Sequence, residues 1–171
     1  MVLYKYAAEQ KLRASERRFA ATLSSIGDAV IATDAQARVT FMNSVAEAPT
    51  GWLQREAAGR PLPDVFRIVN ENTREIVEDP GAKVLRLGTV VGLANHTVLL
   101  ARDGRELPID DCGSPIIDES GAITGAVIVF RDISDRRQIQ ETLRKTQAEL
   151  TRVIRLITMG HLTASIAHGV K

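Results

Sequence analysis

The stretch "DAVIATDAQARVTFMN", residues 28–43, holds two short runs rich in β-branched and aromatic residues, 28–34 and 38–43. Ala35-Gln36-Ala37 between them is a spacer of hairpin length, so the pair reads as two antiparallel strands joined by a tight turn. The same period returns late in the chain. "HTVLLARDGRELPIDDCGSPI", residues 96–116, contains two further runs joined by Asp103-Gly104, among the strongest short hairpin signals. "DESGAITGAVIVFRDIS", residues 118–134, adds a turn at Glu119-Ser120-Gly121 and a long strand over about 122–132. Between the two strand regions lie about fifty residues punctuated by Pro49, Gly51, Gly59, Pro61, Pro63, Pro80, Gly81, Gly88 and Gly92, which fits several short helices better than one long one. Two strands, small helices, then three strands predict an α+β domain built on one five-stranded antiparallel sheet, with the helices on one face.

Both flanks read as helix. Residues 3–26 are rich in Ala, Glu, Lys, Arg and Gln and carry no Gly or Pro, and Leu12, Phe19, Leu23 and Ile26 form one apolar edge. From Ser134 onward there is no proline, and glycine returns only at Gly160 and Gly169. Ile139, Leu143, Thr146, Leu150, Val153 and Ile157 step four, three, four, three, four: a heptad seam with one threonine in it. So narrow a seam stays wet on a lone helix, and an identical chain is the simplest partner, which predicts a homodimer through Ile139, Leu143, Leu150, Val153 and Ile157. A strict continuation would reach Gly160, Ala164 and Ala167, whereas the bulky stripe runs through Met159, Leu162 and Ile166, so the register changes phase near Leu156.

Bulk numbers exclude several function classes. Lys+Arg 22 against Asp+Glu 21 leaves a net charge of +1 over 171 residues, too little to recruit nucleic acid or an anionic membrane. The single cysteine, Cys112, allows no internal disulfide and no multi-cysteine metal site. No run approaches about 18 apolar residues, and the N-terminus lacks the apolar core and small-residue cleavage site of a secretory leader. The expected setting is the cytoplasm, without membrane contact from this chain.

The words "DAVIATDAQARVTFMNSVAEAPTGW", "AAGRPLPDVF", "ARDGRELPID" and "GAVIVFRDIS", in this order and spacing, resemble the PAS domain, a sensory module of bacterial signalling; the likeness spans residues 19–134. In that family Asn43 and Ala46-Glu47 open the first small helix, Gly51-Trp52 closes it, and Asp132-Ile133-Ser134 ends the last strand where the exit helix begins. Pro49 departs from the pattern, standing where the family more often has a large apolar residue. The tail "MGHLTASIAHGVK", residues 159–171, resembles the first, histidine-bearing helix of sensor kinases, of the form M-G-x-x-x-A-x-x-A-H-E. That resemblance implies that His168 is the phosphoacceptor, that ATP is bound by a further domain of the full protein, and that a response regulator receives the phosphoryl group. Gly169 stands where the family usually has an acidic residue able to orient the imidazole. At about 100° per residue, Met159, Leu162, Ile166 and Val170 share one helix face and His168 projects nearly opposite Ile166. A neutral imidazole keeps a free nitrogen lone pair near neutral pH, as a nucleophile toward phosphorus requires. His161 lies about 10 Å along the axis from His168, too far to share one metal ion, and no metal site is expected.

No resident cofactor is expected either. Haem-carrying relatives hold iron on a histidine in the helix before the third strand, and residues 80–88 contain none; His96 comes only at the start of the next strand. Light-sensing flavin relatives need an Asn-Cys-Arg pattern, whereas Cys112 sits in a strand between Asp111 and Gly113. The candidate ligand space is apolar, between sheet and small helices, lined by Ile31, Phe41, Val65, Phe66, Leu85, Leu99, Ile109 and Val129; these residues also suffice simply to fill the core. The predicted organisation is an N-terminal amphipathic helix over 1–26, a PAS sensor domain over 27–133, a coiled-coil signalling helix over 134–158 and the start of a phosphoacceptor helix over 159–171. This is the input region of a two-component sensor histidine kinase, not expected to be active alone. The alternative is a non-catalytic PAS ligand-binding and dimerisation module controlling another output, such as a cyclase or a transcription regulator.

Overall fold

A computed structural model describes residues 27–92 and 97–168, with side chains through Met159. The expected helix over 1–26, with Phe19, Leu23 and Ile26, lies outside the described residues, as does His96. Strand β1 (Ala29–Asp34) pairs antiparallel with β2 (Val39–Met42). The turn between them is made by Asp34, whose Oδ1 accepts from the N–H groups of Gln36 and Arg38, both at 2.9 Å, while Ala37 takes a positive φ of 57°. The last hairpin repeats the device. Asp118 Oδ1 accepts from the N–H groups of Ser120 and Ala122, and Gly121 supplies the left-handed residue at φ 83°.

Three short helices follow β2: α1 (Ser44–Thr50), α2 (Gln54–Ala57) and α3 (Leu62–Val65). Pro49 sits inside α1, in its last turn, where Thr50 Oγ1 donates to the Ala46 carbonyl at 2.7 Å and Gly51 closes the helix in the left-handed conformation. Next come β3 (Arg67–Asn70), α4 (Pro80–Leu87), β4 (Val91–Gly92), β5 (Thr97–Leu100), β6 (Glu106–Ile117) and β7 (Ile123–Asp132). The sheet runs β2-β1-β7-β6-β5-β3, antiparallel throughout, and β4 pairs with β6 at Gly113 and Cys112. The first and last strands are thus neighbours, as the register Ala29↔Phe130 through Asp34↔Gly125 shows.

Two strands add to the five expected from the sequence. β3 comes from "RIVN", four residues long and paired with β5 at the sheet edge. β4 is only two residues long and has no pattern to betray it. The inner face, under the helices, carries Ile31, Leu99, Ile109, Ile128 and Phe130, packed with Leu62, Val65, Phe66 and Val84 from the helical side. Phe66 and Phe130 meet with ring centroids 4.9 Å apart.

Phe41 and Val129 depart from the expected lining. Phe41 pairs with Ala32, one step along from the pair Ile31↔Met42, so it lies on the opposite face and Met42 takes the core position. An irregularity between Ala32 and Thr33 then lets Val39 face inward as well. Val129 pairs with Val30 and Cys112, again on the outer face, because Ile128 and Phe130 occupy the inner one.

The chain divides between Ile133 and Ser134 into two units. The second is a continuous helix, α5 (Ser134–His168), of 35 residues and so about 50 Å long.

Candidate functional site

The PAS-like core is tied to its first helix by one buried asparagine. Asn43 caps α1 by accepting from Ala46 N–H through Oδ1 at 3.0 Å; the same oxygen accepts from Val30 N–H at 3.0 Å, and Nδ2 donates to the Asp28 carbonyl at 2.9 Å. Both ends of the amide are therefore used, and α1 is fixed to the start of β1. Asp28 in turn accepts from Arg131 Nε near the end of β7 at 2.6 Å, joining the entry of the domain to its exit.

Of the expected lining residues, Ile31, Val65, Phe66, Leu99 and Ile109 are buried together in the core and Leu85 packs against it half-buried. A separate groove of about 690 Å³ opens beside Trp52, Phe66, Ile68, Ile76, Val77 and Asp79. Trp52 is held there by two guanidinium groups, Arg102 at 4.2 Å and Arg60 at 4.8 Å from its ring centroid. Asp79 caps α4, accepting from Ala82 N–H at 2.7 Å; burial raises its carboxyl above the usual range, partly offset by that bond.

By sequence alone Asp111 is only a flank of Cys112. Its register partner is Phe130, so its side chain lies on the inner face, and both carboxyl oxygens are sealed from solvent with no hydrogen-bond partner. Burial, helped by the neighbouring Asp110 charge and opposed by Lys83, pushes its carboxyl up to about 7. The signal available in sequence was the parity of β6, which puts Ile109, Asp111 and Gly113 on one face. Cys112 is exposed on the other.

Along α5, the seam residues Ile139, Leu143, Leu150, Val153 and Ile157 are between 46% and 68% exposed in the single chain. Thr146, within that seam, satisfies its hydroxyl by donating to the Thr142 carbonyl at 3.0 Å, leaving no polar demand on a partner. Glu141 and Lys145 form an i,i+4 ion pair at 3.0 Å on the polar side. The backbone of α5 reaches His168, and the side chains of 160–168, His161 and His168 included, lie outside the described residues. No group of three or more His, Cys, Asp or Glu side chains among the described residues is placed to hold a metal, and no helix among them is long and apolar enough to cross a membrane.

Known proteins resemble the chain over most of its length. A family model described as the PAS fold matches residues 17–133. The signal transduction histidine-protein kinase AtoS of Escherichia coli strain K12 is 34% identical over 152 residues, 87% of this chain and 22% of that protein. "Probable diguanylate cyclase DgcE" of the same organism is 30% identical over 128 residues, 75% of this chain and 11% of its own length. The chain therefore spans about a tenth to a fifth of these relatives. Among solved structures, a PAS domain from Colwellia psychrerythraea superposes with a TM-score of 0.55 at 20% identity, covering 70% of this chain and 97% of that one.

Proposed function

The chain belongs to the PAS family, and from that premise we propose that it is the sensory and dimerisation region of a cytoplasmic sensor histidine kinase. A signal received in the PAS core biases two arrangements of a paired α5, and the arrangement sets whether His168 accepts a phosphoryl group from ATP held by another domain of the full protein. The reaction is attack by a ring nitrogen of neutral His168 on the γ-phosphorus, with ADP as leaving group and a response regulator as the onward acceptor. Gly169 supplies no carboxylate to hold the second ring nitrogen, so transfer is slower than in relatives with an acid there.

One observation carries this reading. The helix that follows the PAS domain is unbroken from Ser134 to His168, and its large apolar residues repeat in heptads while exposed to water in the single chain. It is further supported by the kinase relative matching 87% of the chain, more than the PAS fold alone occupies. The PAS core is proposed to work without haem or flavin, and a visible absorption band in freshly purified protein would refute that part.

The test is to mix the chain with the ATP-binding domain of a sensor kinase and γ-labelled ATP. Acid-labile label is expected on the wild-type chain and none on His168→Gln; equal labelling of both contradicts the assignment. The cyclase relative favours a second reading, in which the same PAS domain and helix govern nucleotide cyclisation. That reading predicts no histidine label in the full-length protein.

A further inference from the structure

We propose that Asp111 is a proton-operated latch between α4 and the sheet: while its carboxyl is neutral, α4 lies down on β6, and when the carboxyl is charged the helix lifts so that water can reach the oxygens. The latch belongs to the PAS core and goes beyond the kinase reading; it stands or falls whether or not His168 is phosphorylated.

The geometry begins at Gly113, two residues along the strand from Asp111 and on the same inner face. A Cβ there would lie 2.9 Å from Val84 Cγ2 and 3.1 Å from the Pro80 carbonyl, so α4 sits as close to β6 as a backbone without side chain permits. Asp111 lies beside this contact, opposite Phe130, with both oxygens cut off from solvent and from every donor. A carboxylate so placed costs free energy that nothing in the closed structure returns, whereas a neutral carboxyl costs far less. The charged and titratable groups about it do not cancel that cost. Lys83 on α4 attracts the charge without forming an ion pair, Asp110 next in the strand repels it, and Phe130 on β7 is uncharged. Asp79 at the α4 N-cap is committed to the Ala82 N–H.

With the carboxyl raised to about 7, the folded state holds this proton more tightly than the unfolded chain does. Stability from this group is therefore complete below the unfolded carboxyl range and declines as pH rises toward 7, then levels off. The cheapest relief above that point is local, because α4 is only eight residues long and its removal from β6 hydrates the oxygens without dismantling the sheet.

The experiment is amide hydrogen exchange on the whole 171-residue chain, corrected for the intrinsic pH dependence of exchange, at about pH 5.5 and about pH 8.5. Protection at Val84, Leu85 and Gly88 is expected to fall by up to about 30-fold relative to Ile31 in β1, the factor that one and a half pH units beyond the midpoint allow. Asp111→Asn should remove the difference. Equal loss in wild type and variant, or no selective loss in wild type, overturns the latch. A carbon-13 titration of the Asp111 carboxyl in the wild-type chain provides a readout that needs no variant: a midpoint near 7 is expected, and one below about 5 overturns the proposal.

Discussion

Asn43 ties α1 to the start of β1 through one buried amide. Its amide accepts twice and donates once inside the protein, to Ala46, Val30 and Asp28, and Asn43 itself is only 2% exposed. Asn43→Ala leaves the Val30 N–H and the Asp28 carbonyl without partners and removes the side-chain cap of α1, while Ala46 N–H keeps the backbone carbonyl of residue 43, for an expected loss of about 2–4 kcal/mol in urea unfolding. A loss below about 1 kcal/mol would mean that water replaces the amide, contrary to its burial. Asparagine is among the residues favoured at an N-cap, and the residue was legible through the resemblance to the PAS family, in which Asn43 opens the first small helix. Asp111 was not, since acidic residues in strands ordinarily face water and only the parity of β6 reveals that this one does not.

Among the elements, the hairpins and the long exit helix declared themselves, and the short strands β3 and β4 did not. Asp34 and Asp118 close their turns with side-chain acceptors, so the turn residues and the turns coincide. β3 escaped because four residues at an edge offer too few alternations to count, and β4 because it has two. Phe41 and Val129 are apolar enough for the core, yet strand parity puts both on the outer face. "VIVF" in β7 is apolar at both parities, and the irregularity in the β1–β2 ladder moves the inward position from Phe41 to Met42. The α5 seam is plainer, as every member stands exposed on one stripe. Placing a charge there, Leu150→Glu, should abolish any rise of the thermal midpoint with chain concentration that the wild type displays. A midpoint that rises equally in the variant would locate the association elsewhere.

Over the whole molecule, the PAS domain and the helix that follows it are separate units joined at Ile133–Ser134. The first is complete as a fold: its core is closed by an antiparallel sheet and short helices, with the first and last strands side by side. The second is incomplete as a folded object, because a single helix about 50 Å long has no core of its own and leaves Leu143, Leu150, Val153 and Ile157 in water. Net charge of +1 places no strong barrier between two copies. Sedimentation equilibrium of the wild-type chain at micromolar concentration should return twice the 18.7 kDa chain mass, as pairing through α5 requires; a single-chain mass throughout would mean that α5 stays unpaired.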